Sequence, residues 1–300
     1  MFPVTRLVLA ASLAALSSAA LAHGRHARAP APGWEFDPFV VVPLALLLTV
    51  FLAGQFRLSR RSKVERHCSW LFVGGWAVLA LALVSPLHEG GESSFTLHMI
   101  EHELIMLVAT LLLAASHAGG ILAWGLPAPL RRSLGGAWKQ PLTALWRRLT
   151  EPVTATMIQS VVLWLWHAPA LFDRALRSDG WHIAQHLSFV AASLIFWVAM
   201  LNPRRGGYLL SAGCLFVTSL VEGALGALMS LSSSPWYPAY AAMGMSGIGL
   251  DPATDQQLAG LVMWIPGGLV HGVAALVLLH RWLSTSEDRQ PIAGSATRYR

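Results

Sequence analysis

Residues 95–116 read FTLHMIEHELIMLVATLLLAAS and residues 182–201 read HIAQHLSFVAASLIFWVAML. Each stretch opens on two histidines four positions apart, His98/His102 and His182/His186, and then stays apolar for the remainder. A helix needs about 20 mostly apolar residues to cross the hydrocarbon core of a bilayer. Residues four apart share one helix face and sit about 6 Å apart along the axis. Each pair can therefore chelate, and two such helices facing one another can complete a four-ligand metal cage at one end of a membrane bundle.

The composition supports a membrane setting. Of the 300 residues, 55% are hydrophobic and 12% charged, with a mean hydropathy of +0.54. Soluble domains carry about 25% charged residues. The apolar runs show no strict alternation of the kind an outer-membrane barrel requires. The expected fold is an all-α integral membrane protein, a seven-transmembrane helix bundle. Its spans are expected at 38–56, 68–86, 97–116, 153–171, 182–201, 208–230 and 258–280.

Residues 1–22 read as a cleavable signal peptide, with Arg6, an apolar stretch from Leu7 to Leu16 and the small-x-small end Ala20-Leu21-Ala22. A tail at 23–37, the membrane domain at 38–283 and a second tail at 284–300 complete the expected organisation. Cleavage after Ala22 would leave His23 as an amino-terminal amine–imidazole pair with His26 nearby. With the mature amino terminus outside, sixteen lysines and arginines fall in cytoplasmic segments: Arg57, Arg60, Arg61, Lys63, Arg66, Arg131, Arg132, Lys139, Arg147, Arg148, Arg204, Arg205, Arg281, Arg289, Arg298 and Arg300. Only Arg25, Arg28, Arg174 and Arg177 fall outside. This asymmetry orients membrane proteins and predicts an external amino terminus and a cytoplasmic carboxyl terminus.

Several function classes drop out. The net charge of +6 comes from basic residues scattered through short loops beside spans, where the lipid bilayer is their partner. No phosphate-binding loop or nucleic-acid recognition pattern accompanies them, so no nucleic-acid partner is expected. Cys68 and Cys214 form no C-x-x-C or C-x-C pair, which removes a thiolate metal site. Neither lysine, Lys63 or Lys139, lies in a span to carry a retinal Schiff base.

The histidines concentrate at the external end. On the third span His98, Glu101 and His102 fall within an arc of about 100°, with Met106 one turn deeper, so this face must look inward, away from lipid. Glu103 points elsewhere and is expected among headgroups. On the fifth span Gln185 sits between His182 and His186 and could orient an imidazole. His167 closes the fourth span beside Pro169, while His88 reads as an interfacial polar residue. Glu222 is an acid inside the sixth span, and Met263 lies two turns inside the seventh, before Pro266. Imidazole with nearby thioether favours copper, particularly Cu(I), over calcium or magnesium. Zinc, through histidine and carboxylate, stays open. Two readings from other classes also remain: a b-haem membrane electron carrier or oxidoreductase with paired axial histidines, and a copper transporter using Glu222 and Met263 as its path. The segment 231–257, with Pro235, Trp236, Tyr237, Pro238, Tyr240, Met243 and Met245, is expected to be a docking surface.

These motifs resemble the seven-span CtaG proteins, assembly factors of caa-type cytochrome c oxidase. The resemblance rests on Ser85-Pro86-Leu87, on Phe95 to His102, and on Trp166-His167-Ala168-Pro169-Ala170-Leu171-Phe172-Asp173 leading to His182 and His186. It rests also on Asp255-Gln256-Gln257-Leu258-Ala259-Gly260 with Met263-Trp264-Ile265-Pro266-Gly267-Gly268. It implies a non-enzymatic role at the outer face of the bacterial inner membrane, where copper would be delivered to, or metallation supported in, a haem-copper cytochrome c oxidase subunit. His98, His102, His182 and His186 would be the ligands, with Glu101, His167 and Met263 as further candidates. Where the family usually has a Gly-x-Pro turn after the third span, this chain has Ser116-His117-Ala118-Gly119-Gly120.

Overall fold

The computed structural model describes residues 33–59, 66–135, 139–203 and 207–287. The signal segment, His23, His26 and residues 288–300 lie outside them. Thirteen helices and no strand occur among the described residues. They are α1 (Pro38–Ser59), α2 (Arg66–Val84), α3 (Pro86–Ser93), α4 (Phe95–Ala115), α5 (Gly119–Gly125), α6 (Ala128–Gly135), α7 (Lys139–Leu149), α8 (Pro152–His167), α9 (Pro169–Leu176), α10 (Asp179–Leu201), α11 (Tyr208–Leu231), α12 (Pro238–Met243) and α13 (Pro252–Glu287).

Six of these, α1, α2, α4, α10, α11 and α13, are long and apolar enough to cross a membrane. The seventh expected span is a bent pair: α8 ends at His167, and α9 continues after a 72° turn. The cause is local, because Pro169 has no amide to continue the helical ladder and disfavours helical geometry at Ala168, which adopts extended dihedrals. Pro266 lies inside α13 without ending it; the helix runs unbroken from Pro252 to Glu287. The expected tail at 284–300 thus begins as helix. Between the third and fourth expected spans, Lys139–Leu149 forms the helix α7.

α4 is the centre of the bundle, packed by α2, α3, α10 and α13. Its apolar window is 56% buried against 11% for α1, which lies at the periphery. Within α4 the residues Leu104–Ala109 form a π-helical turn, a device that appears often at functional sites. α11 and α13 meet through bare backbone: a Cβ on Gly226 would stand 2.7 Å from the Gly260 carbonyl, so small residues are needed there. α1 and α5 cross at Gly54 and Gly125, and Arg57 donates to the carbonyls of Trp124, Gly125 and Leu126 at 2.9–3.0 Å, closing the end of α5.

The turn after α4 has an unusual backbone conformation. His117 takes φ +48°, unusual for a residue with a Cβ. Ser116 supports it, donating to the Leu113 carbonyl at 2.6 Å and accepting from the Ala118 amide at 3.3 Å.

Candidate metal centre

Four segments meet at one end of the bundle. Ser85 caps α3, accepting from the Leu87 amide, and Pro86 occupies its first turn, an arrangement that fixes a helix start. α3 therefore lies across the top of α4 and carries His88 to it. Close approach at Gly91, where a Cβ would stand 3.2 Å from the His98 Cα, seats α3 against α4.

The start of α4 is held from the far end of the chain. Asp255, 2% exposed in the first turn of α13, accepts from Ser94 Oγ at 3.0 Å, the Phe95 amide at 2.7 Å and the Thr96 amide at 3.2 Å. Its carbonyl also accepts from Thr96 Oγ1 at 2.9 Å. The free amides at a helix start favour an anionic acceptor. Asp255 thus sets the depth and rotation of the turn that bears His98, Glu101 and His102.

The two histidine pairs do face one another. Ring centroids lie 4.3 Å apart for His98/His102, 4.4 Å for His182/His186, 5.6 Å for His98/His182 and 5.3 Å for His102/His186. His167 joins from the end of α8, 6.4 Å from His102. His88, read from sequence as interfacial, is a full member of the group. Its ring stacks on His182 at 5.2 Å, and one ligand atom from each of His88, His182 and His186 lies within 4.8 Å of the others. The available sequence signal was its place directly after the Ser85-Pro86-Leu87 motif.

Glu101 is fully buried at the heart of the cluster. His88 Nδ1 donates to its Oε1 at 2.7 Å, and His186 Nε2 stands 3.4 Å from the same oxygen, at ion-pair distance but without hydrogen-bond geometry. Burial opposes protonation of His88, yet the Glu101 hydrogen bond and the charges of Glu101, Glu35 and Glu92 outweigh it and raise its pKa above the ordinary value. Glu35 and Glu92 are acidic neighbours of His88; Glu92 is itself pushed up by burial and by Glu35.

The decisive property is unmet bonding capacity. Nε2 of His98, His167, His182 and His186, both nitrogens of His102, and Oε2 of Glu101 are buried without hydrogen-bond partners. His167 shows the tautomer this implies: its Nδ1 lies 2.7 Å from the Leu163 carbonyl, which can only accept, so Nδ1 carries the hydrogen and Nε2 the free lone pair. Leaving a buried polar group unpaired costs about 1–3 kcal/mol. Several lone pairs converging on one space make a donor set that fits a late transition metal.

The expectations for Gln185 and Glu103 need correction. Gln185 is fully buried, but neither its amide nitrogen nor its oxygen bonds an imidazole; both are unpartnered. Glu103 does not sit among headgroups: its Oε2 is buried on the other side of α4. Met263 is 2% exposed in the apolar core that also holds Met99, Met106 and Met229. The segment expected to be a docking surface is divided. Met243 and Met245 are exposed, whereas Tyr237 donates to the His167 carbonyl at 3.1 Å and Tyr240 to the Gly91 carbonyl at 2.5 Å. Those two tyrosines pack with Phe95 and Phe172 beside the histidines.

The histidine cluster and its supports lie within a single family match. The family model described as cytochrome c oxidase caa3 assembly factor (Caa3_CtaG) matches residues 49–285. Two curated relatives, uncharacterized protein Mb0105 of Mycobacterium bovis and uncharacterized protein MT0111 of Mycobacterium tuberculosis, are each 25% identical over 274 residues. Each alignment covers 85% of this chain and 41% of the relative, so the chain spans about two fifths of the length of the curated relatives it matches. No solved structure matches. With the family match running from α1 to the last residues of α13 and taking in every histidine of the cluster, the chain belongs to the CtaG family of cytochrome c oxidase caa3 assembly factors.

Proposed function

We propose that the histidine cluster holds copper as cargo at the outer membrane face, and that the protein delivers it to, or supports metallation of, a haem-copper oxidase subunit. The observation that carries this reading is the convergence of buried, unpartnered imidazole nitrogens around Glu101. Neutral imidazoles suit Cu(I) and Cu(II). The group His88, His182 and His186 is the nearest to ligand spacing, with His98, His102 and His167 as inner donors. Release favours an incomplete, asymmetric donor set over a closed structural cage, and His88 stands beside the acidic side chains Glu35 and Glu92, where an arriving or departing cation would pass. The lysine and arginine asymmetry supports an outward-facing mouth. Six imidazoles, with neighbouring ring centroids as close as 4.3–5.6 Å, crowd the space a porphyrin macrocycle would need, so the geometry supports a metal ion better than a b-haem.

Elemental analysis of purified full-length protein after Cu(I) loading tests the reading. The parent is expected to retain copper, and a His88→Ala/His182→Ala/His186→Ala variant of unchanged thermal midpoint to lose it. Copper retained by neither protein would remove the cluster from consideration as a copper site, and copper retained equally by both would remove His88, His182 and His186 as the group that holds it.

A further inference from the structure

A second polar cluster occupies the interior between α4, α8, α10, α11 and α13, and its donors differ in kind. Glu222 of α11 is 5% exposed, and its Oε2 lies 3.3 Å from Nδ1 of His271 on α13, which is 1% exposed. Glu222 Oε1 and His271 Nδ1 have no hydrogen-bond partner. His271 is held flat against Trp197 of α10, with centroids 5.3 Å apart and planes 10° apart. Trp197 in turn donates to the Met106 carbonyl in the π-helical turn of α4 at 2.9 Å. Gln159 of α8, also buried, accepts from Ser193 of α10 at 3.2 Å.

Gly267 of α13 marks where the acids meet. A Cβ there would stand 3.3 Å from Glu222 Oε2 and 3.9 Å from Glu103 Oε2, and the latter oxygen is buried and unpartnered. Two carboxylates from different helices therefore use a space kept open by a missing side chain. A purely structural ion pair would account for Glu222 and His271, but it leaves Glu222 Oε1 and Glu103 Oε2 unanswered. Burying charge in this setting is costly without compensation, and one divalent ion offsets two carboxylates. Carboxylate and imidazole donors together are the ligands of zinc and similar borderline ions, unlike the imidazole-dominated outer cluster.

We propose that Glu222 and His271, with Glu103 drawn in across the gap at Gly267 when the ion binds, form a second metal site inside the bundle, selective for a divalent transition ion of the zinc class and roofed by the bare backbone at Gly267. The site does not depend on the copper reading, because it shares no ligand with the outer cluster.

The test uses the full chain, stripped with chelator, in a His88→Ala/His182→Ala/His186→Ala background that removes outer donors. Cobalt(II) serves as the optical probe. Ligand-field absorption displaced by Zn2+ is expected, and Glu222→Gln or His271→Gln should abolish it. Gly267→Ala leaves every donor in place and adds only a methyl, and it should weaken cobalt binding about tenfold, the scale of a disturbed ligand surround. Cobalt absorption that is absent in the background protein, or unchanged by Glu222→Gln and His271→Gln, would overturn the site. If those two variants fail to fold, Gly267→Ala decides, and unchanged affinity there overturns it equally. Failure of the outer copper cluster would appear as lost copper in the parent and would leave this readout untouched.

Discussion

Glu101 and Glu103 stand two residues apart on α4 and meet opposite chemistry. Successive residues turn by about 100°, so the two carboxylates leave the helix on opposite faces. Glu101 enters a ring of imidazoles, with one oxygen bonded to His88 and near His186. Glu103 enters a space shared with Glu222, beneath the bare backbone of Gly267. The first neighbourhood is rich in imidazole nitrogens and lies close to the acidic side chains Glu35 and Glu92; the second is rich in carboxylate and enclosed by spans. The comparison teaches that a membrane helix can act as a partition. One face gathers imidazoles and the other carboxylates, and what distinguishes two identical residues is only the set of helices each one faces.

The largest effect expected from this contrast is at the outer cluster. Joint loss of His88, His182 and His186 to alanine should weaken copper binding by about a hundredfold or more, read by competition with a Cu(I) chelator, while cobalt binding at the inner cluster persists. Loss of both would show that the two faces are one coupled site.

Next in size is the support that both faces share. Asp255→Ala strips three acceptor contacts from the start of α4. It should destabilise the protein by about 2–4 kcal/mol, from a lost cap and stranded buried donors. A lower thermal midpoint and weaker copper binding are expected together. An unchanged midpoint would mean that α4 holds its register without this carboxylate.

A crossed pair of conservative changes sharpens the comparison further. Glu101→Gln should weaken copper by roughly tenfold and leave cobalt unchanged, whereas Glu103→Gln should do the reverse. Matching losses in both variants would break the partition. The smallest expected effect is Tyr237→Phe, which removes one hydrogen bond to the His167 carbonyl. It should lower stability by about 1 kcal/mol, measured by thermal melting, with copper binding nearly preserved.

Much of the outer cluster was legible in the sequence because its signals are local. The four-residue spacing of His98/His102 and His182/His186 places each pair on one helix face wherever the helix goes. The inward direction of Glu101 followed from the expense of exposing it to lipid. His88 was not legible in the same way: a single histidine on an eight-residue helix has no periodic partner, and its membership depends on α3 folding back over α4. Glu103 was misplaced for a related reason. Helical phase showed that it leaves the histidine face, but the presence of Glu222 and Gly267 on the opposite side comes from contacts more than a hundred residues away in the chain. The seventh span was legible as hydropathy, yet its division at Ala168 belongs to the fold of α8 and α9 around the cluster.

By itself the sequence determined the helical membrane class, the approximate spans, the two histidine pairs that share a helix face and the family motifs, because hydropathy and helical periodicity act over a few turns and are written in neighbouring residues. Only the tertiary structure decided that six histidines gather around Glu101, that Asp255 anchors the turn bearing three of the cluster's groups, and that Glu103 and Glu222 share a gap at Gly267. These depend on which helix faces pack together and at what depth, and that is settled by side-chain fit between segments far apart in sequence.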